Sequence, residues 1–158
     1  MTPHITDIIT RIQRDKIDLG ITLYDKTSLS DISSFEQTMS LSLPDDIKTF
    51  YSFCNGFESA EDMFRVLPLN EIIENISNGR DTYLVDKKDL HLAEYMIYCD
   101  MWTLSISEQN NNDYYIYNKT DKVITLTHSF AEFLSVFLND GVFKGLYNWR
   151  EQIESTIK

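Results

Sequence analysis

Residues 30–56 read SDISSFEQTMSLSLPDDIKTFYSFCNG, two helical segments joined at a proline and closed by Asn-Gly. Leu29, Ile32, Phe35 and Met39 are spaced as one apolar face of a helix. Ser33 and Glu36 have the spacing of a capping box, so this helix starts there or a turn earlier. Pro44 disfavours helical backbone at Leu43 and ends the first helix before it. The same proline can open a second helix at its first position, with Asp45 and Asp46 in the first turn, where negative charge suits the helix dipole. Ile47, Phe50, Tyr51 and Cys54 continue the apolar stripe. Gly56, preceded by Asn55, can take the left-handed conformation that closes a helix. A hairpin at Asn55-Gly56 would need an alternating strand on both sides, and none precedes it.

On the N-terminal side, Thr2 and Pro3 open a helix over 3–17, with Ile5, Ile8, Ile9 and Ile12 on one stripe. Its polar face is not strongly basic, which favours packing on a core over lying on a membrane. Residues 18–28 read as a polar connection. On the C-terminal side, 64–67 is a short strand, and Leu69, Ile72, Ile73 and Ile76 mark a short helix ending near Asn78-Gly79. Residues 80–92 are charged and turn-like. The period then changes from helical to alternating. Residues 95–99, 102–106, 114–117 and 123–127 read as strands, with loops at 110–113 and 118–122. Ser129 and Glu132 form a second capping box ahead of the wide apolar face of Phe130, Phe133, Leu134, Phe137 and Leu138. Gly141 can end that helix, and Leu146, Trp149 and Ile153 suggest a last one. The expected fold class is therefore α+β, a mainly antiparallel sheet of about four to six strands with helices packed against it. One domain is expected over 1–158, with a motif core at 28–140 and a helical extension at 141–158.

The formal net charge is −11. Such a field repels nucleic acid and anionic membranes and draws basic partners. The hydrophobic fraction of 42% is too high for a disordered chain. Cys54 and Cys99 form no CxxC, and Asp7, Arg11, Arg14 and Asp15 interrupt the isoleucines near Met1 as no signal core would allow. No run approaches the ~18 apolar residues of a membrane span. These features lead to the expectation of a reduced, cytoplasmic protein.

Catalytic chemistry finds little support. The glycines are scattered at Gly20, Gly56, Gly79, Gly141 and Gly145, with no phosphate-cradling cluster. His4, His91 and His128 stand far apart, with no HxxxH or HxH. Cys54 lies on the apolar face of its helix, where burial raises a thiol pKa, and Cys99 adjoins Asp100. The carboxylate pairs Glu71/Glu74 and Asp86/Asp89 read as solvated faces in a chain with 25 acidic residues. Glu58, Glu61 and Asp62 follow Gly56 on an expected loop, a better place for function. Tyr115 and Tyr117 share one strand face and Tyr114 takes the other, which suits packing or a protein interface. No catalytic residue, metal ligand or cofactor is assigned.

The ordered set of Ile32, Phe35-Glu36, Leu43-Pro44, Phe50, Asn55-Gly56, Leu67-Pro68-Leu69, a strand meander and Ser129-Phe130 with Phe133-Leu134 resembles the SUKH superfamily in its Smi/Knr cell-wall-regulator branch. The resemblance covers about residues 28–140. It departs from the family pattern at Asn110 to Asp113, where a glycine-rich turn is usual, and after Gly141, where no motif matches. The resemblance implies helices on a mainly antiparallel sheet and no enzymatic activity. It implies structural roles for Phe35, Leu43, Pro44, Phe50, Asn55, Gly56 and Phe130. Bacterial members are typically immunity proteins that bind and block a cognate toxin, often a nuclease; fungal members are regulatory and interaction proteins.

The expectation that follows is an immunity protein whose partner is a toxin with a basic surface, with no nucleic acid or membrane partner. Its contact candidates are Glu58, Glu61, Asp62, Glu108 and Asp113, chosen because they fall on expected loops. The alternatives are an intracellular regulatory module with a non-toxin protein partner, and a hydrolase using scattered carboxylates, for which no constellation with mutual geometry can be named.

Overall fold

A computed structural model describes residues 2–79 and 84–157; part of the expected turn-like stretch, 80–83, lies outside the described residues. The helices are α1 (Ile5–Asp15), α2 (Leu29–Met39), α3 (Asp45–Phe53), α4 (Leu69–Ser77), α5 (Phe130–Asp140) and α6 (Asn148–Ile157), with a π-helical segment, Gly141–Tyr147, joining the last two. The strands are β1 (Ile21–Leu23), β2 (Phe57–Ser59), β3 (Phe64–Val66), β4 (Leu90–Tyr95), β5 (Asp100–Ile106), β6 (Tyr114–Lys119) and β7 (Val123–Thr127). Among the described residues they form one sheet in sequence order, every neighbouring pair antiparallel. The α+β class and the antiparallel sheet are as expected, but the sheet has seven strands rather than four to six. The difference lies in β1 and β2. Each is three residues long, too short to show an alternating period, and they were hidden in stretches read as a connection and a loop.

The central stretch folds as two helices broken before Pro44, with corrected details. Helix α2 starts a turn earlier than Ser33. Ser28 Oγ accepts from Asp31 N–H, and Asp31 returns the bond to Ser28 N–H, a full capping box. Glu36 instead reaches forward, accepting from Leu43 N–H at 2.7 Å and pairing with Lys48 at 3.3 Å, and so braces the corner between α2 and α3. Gly56 does not cap α3, which ends at Phe53. It sits at φ +91° with its α-carbon against β3: a Cβ there would lie 2.2 Å from the Val66 carbonyl oxygen.

One face of the sheet carries Phe57, Phe64, Val66, Trp102, Leu104 and Ile116 into a core shared with α1, α3 and α5. Phe50 on α3 is fully buried, its ring 5.1 Å from that of Phe130 and 6.3 Å from that of Phe57. Phe64 stacks on Phe137 at 4.0 Å. Each such ring contributes about 2–3 kcal/mol of transfer free energy, so the aromatic ladder from α3 through the sheet to α5 is the mechanical centre. The stretch expected as a strand over 95–99 is corrected: its strand runs Leu90–Tyr95, and residues 96–99 turn back into β5. Met96, Ile97 and Tyr98 there have φ of +54°, +54° and +62°.

Candidate partner-binding surface

Because the strands are antiparallel and consecutive, successive connections alternate between the two ends of the sheet. One end holds the turns at 60–63, 96–99 and 120–122, and the C-terminus of α5. The other holds the Leu43-Pro44 corner, the β5–β6 loop at 107–113 and the start of α5. The five carboxylates expected to contact a partner are not brought together. Glu61 and Asp62 lie at the first end, Glu108 and Asp113 at the second, and Glu58 between them. Glu58 is not on a loop: it faces outward in the middle of β2, opposite Thr22 and Arg65, and accepts from Tyr24 O–H at 3.3 Å.

At the first end, Glu61 lies across Gly20, and a Cβ on Gly141 would come within 3.0 Å of an Asp62 carboxylate oxygen. Ser59 Oγ donates to Asp62 at 3.4 Å. Asp18, Glu61 and Asp62 share the rim of a small cavity of about 150 Å³ that also reaches Phe137 and Gly141. At the second end, Glu108 pairs with Lys88, both exposed, a contact of little energetic weight. Asp113 is exposed, while its neighbours are anchored: Asn111 Nδ2 donates to the Leu43 carbonyl at 2.8 Å, and Asp45 N–H donates to Asn112 Oδ1 at 2.8 Å. Between this loop and α2 lies a polar cleft of about 800 Å³, lined by Ser33, Gln37, Ser107, Gln109 and others.

The motif side chains gather around the second end. Phe35, Leu43, Pro44, Phe50 and Phe130 are buried. Asn55 Oδ1 accepts from Leu69 N–H at 2.9 Å, which satisfies an amide at the start of α4. Tyr51 O–H donates to the Leu67 carbonyl at 2.7 Å.

The outward face of the sheet carries a charged network. Arg65 on β3 donates to Glu94 Oε1 at 2.6 Å, and to both carboxylate oxygens of Glu71 on α4, at 3.0 and 2.6 Å. Glu94 is almost fully buried, its side chain 3% exposed. Its second oxygen accepts from Tyr98 N–H at 2.7 Å. Tyr98 O–H donates to Glu71, and the Arg65 guanidinium lies 5.8 Å from the centre of the Tyr98 ring. Burial works against the charge of Arg65, but its hydrogen bonds to Glu71, Glu94 and Tyr24 outweigh it and raise its pKa. Three more tyrosines donate to aspartates: Tyr114 to Asp46 at 2.5 Å, Tyr117 to Asp89 at 2.6 Å and Tyr147 to Asp100 at 2.8 Å. Burial first, and the neighbouring carboxylate second, push all three phenols well up. Asp89 is thus a buried structural acceptor, not a solvated carboxylate.

The groups weighed for chemistry are engaged in structure. His91 Nδ1 lies 2.9 Å from Thr103 Oγ1 inside the sheet, and His128 Nδ1 is 3.0 Å from the Tyr114 carbonyl. Cys54 is buried, and burial pushes its thiol up to about 12, which makes it a poor nucleophile. Among the described residues no group of three His, Cys, Asp or Glu side chains is placed to hold a metal ion, and no helix is long and apolar enough to cross a membrane.

Another set carries no mark in the sequence. Met63 (47% exposed), Met96 (45%), Ile97 (80%) and Phe143 (66%) gather at the first end. Met96 N–H donates to the Met63 carbonyl at 2.9 Å, and the Phe143 ring sits edge-on to Tyr95 at 5.7 Å. In the sequence, 95–99 resembles a buried strand because β-branched and aromatic residues dominate it. Only the left-handed turn puts those side chains in water.

The described residues form a seven-stranded antiparallel meander with helices packed on it, an α+β fold. The chain belongs to the SMI1 / KNR4 family (SUKH-1), whose family model matches residues 26–136. The match runs from just before α2 into α5, so α1, β1, the π-helical segment and α6 lie outside it. No curated protein matches the chain closely enough to count as a relative.

Proposed function

We propose that this protein is a non-enzymatic immunity protein that acts in the cytoplasm, binding and neutralising a cognate toxin that carries a basic surface. Membership of the SUKH-1 family carries the proposal, because bacterial members of the superfamily typically have that role. The charge of −11 supports the basic partner. A nuclease needs cationic side chains to hold phosphates, and an acidic protein of this size can occupy such a surface and approach it quickly. Acidic side chains on the exposed surface, Glu58, Glu61 and Asp62 among them, are the proposed electrostatic contacts.

Co-expression tests the proposal. The full chain is produced together with a candidate toxin domain, first that of any secreted protein encoded beside its gene. Growth restored by the chain, with binding that weakens as salt is raised from 50 to 500 mM (ionic strengths over which the Debye length falls from roughly 14 to 4 Å), is the expected result. Failure to restore growth against every such candidate overturns the immunity reading and leaves a regulatory module with a different protein partner.

A further inference from the structure

We infer that the toxin-binding surface is the first end of the sheet, an apolar centre of Met63, Met96, Ile97 and Phe143 edged by Glu61 and Asp62. The inference rests on the immunity reading for the identity of the partner, and on the geometry for the place. Met63, Met96 and Ile97 on the turns of this end, and Phe143 beside Tyr95, are four of the nine exposed large apolar side chains among the described residues. Large apolar side chains exposed close together beside acidic groups are the mark of an interaction site.

The backbone supplies a second observation. Met63, Met96, Ile97 and Tyr98 all have positive φ, between +53° and +62°. A β-branched residue such as Ile97 is a conformational outlier there, and glycine would relieve it at once. Ile97 nonetheless extends its apolar side chain, 80% exposed, into solvent, so neither local conformation nor core packing accounts for it. Strain of this kind gathers at ligand clamps. The turn is also held in place before any partner arrives. Cys99 N–H donates to the Tyr95 carbonyl at 3.0 Å, Tyr98 N–H to Glu94 and Met96 N–H to Met63. Phe143 is braced by Tyr95 and Tyr147, each ring 5.7 Å away. A preformed surface lowers the ordering cost of binding.

Charge decides the occupant. Asp18, Glu61 and Asp62 line the small cavity at this end, exposed Asp140 directly precedes Gly141 there, exposed Lys144 follows Phe143, and Asp121 and Lys122 in the 120–122 turn cancel, in a chain of net charge −11. A second copy of this chain would bring the same charge against itself. The surface fits a protein that presents an apolar side chain among lysines and arginines. Phe143 comes from beyond the family-matched residues 26–136, so the surface joins the family scaffold to the segment that follows it.

Calorimetric titration of the purified full chain with that same toxin domain tests the inference. Ile97→Asp and Phe143→Asp each weaken binding at least ~10-fold, the effect of removing a central anchor, with unchanged melting temperature. Ile97→Ser repeats the loss without adding charge. Leu29→Asp, which places the same charge on another exposed apolar site (76% exposed), leaves the Kd unchanged. Wild-type affinity in both the Ile97 and the Phe143 variants overturns the inference while the immunity reading stands. An equal loss in Leu29→Asp also overturns it. No binding by the wild-type chain overturns the immunity reading, and the inference falls with it.

Discussion

At one end of the sheet, Asn111 and Asn112 tie the β5–β6 loop to Leu43 and Asp45, Asn55 tethers the start of α4, and Gly56 lies flush against β3. At the other end, three consecutive residues of the β4–β5 turn stand on left-handed backbone, with Met96 and Ile97 in solvent. Motif residues gather at the end that holds Leu43 and the β5–β6 loop and pair their polar groups within the chain. The end that holds the 60–63 and 96–99 turns leaves apolar surface unmatched inside the molecule. On the proposed function, residues that satisfy one another define the scaffold, and residues that the fold leaves unsatisfied mark where a partner is met.

The largest effect is expected from Gly56→Ala. Two roles for Gly56 differ in magnitude. A helix-closing glycine replaced by alanine costs about 1 kcal/mol. A glycine whose missing Cβ leaves room for another backbone costs far more, because the added carbon would lie 2.2 Å from the Val66 carbonyl oxygen and β2 would have to move away from β3. The variant is expected to lose about 4 kcal/mol of unfolding free energy in a denaturant titration, a large share of a stability of about 5–15 kcal/mol. A loss near 1 kcal/mol would return Gly56 to the role of a simple cap and weaken the picture of a tightly packed scaffold end.

That difference also shows what the sequence could tell. The helical period over Ile32 to Cys54, the stop at Pro44 and the aspartates after it read directly into α2 and α3, since each is a local signal. Phe130 to Leu138 read as a helix for the same reason. The true capping partner of Ser28 was missed because Ser33 and Glu36 have the same spacing. The close approach at Gly56 depends on β3, ten residues away, and no local rule contains it. Strands β1 and β2 are legible only through their pairing, β1 with β2 and β2 with β3. At the candidate surface, Glu61 and Asp62 could be picked out by their place between two elements. Glu58, Glu108 and Asp113 satisfied the same rule and are scattered by the topology. Ile97 had the composition of a strand, and its exposure follows from a turn whose left-handed backbone has no glycine to announce it.

Replacing Arg65 asks what holds that turn. Arg65→Ala leaves the Glu94 carboxylate, 3% exposed, without its cation. Removing one partner of a buried pair costs about 3–5 kcal/mol, and the partial exposure of Arg65 points to the lower figure, about 3 kcal/mol. Glu94 is also the acceptor for Tyr98 N–H, so hydrogen exchange at that amide should speed up beyond the change at amides of β5 and β6. Uniform acceleration would mean that the network stabilises the sheet as a whole, and that the turn keeps its shape by other contacts.

The smallest effect, and the most discriminating, is expected from Ile97→Gly. In left-handed backbone an L side chain costs about 1–2 kcal/mol, which glycine avoids. Glycine gives back about 0.5–1 kcal/mol through the greater freedom of the unfolded chain. The side chain is 80% exposed, so little burial is lost. The balance is a gain of about 0.5 kcal/mol, read as a rise of about 1–2 °C in melting temperature for a chain of this size. A variant that is more stable yet binds its partner less well would show that Ile97 opposes folding and serves the surface. A clear drop in stability would make Ile97 part of the scaffold, and the contrast between the two ends would then lie in their chemistry alone.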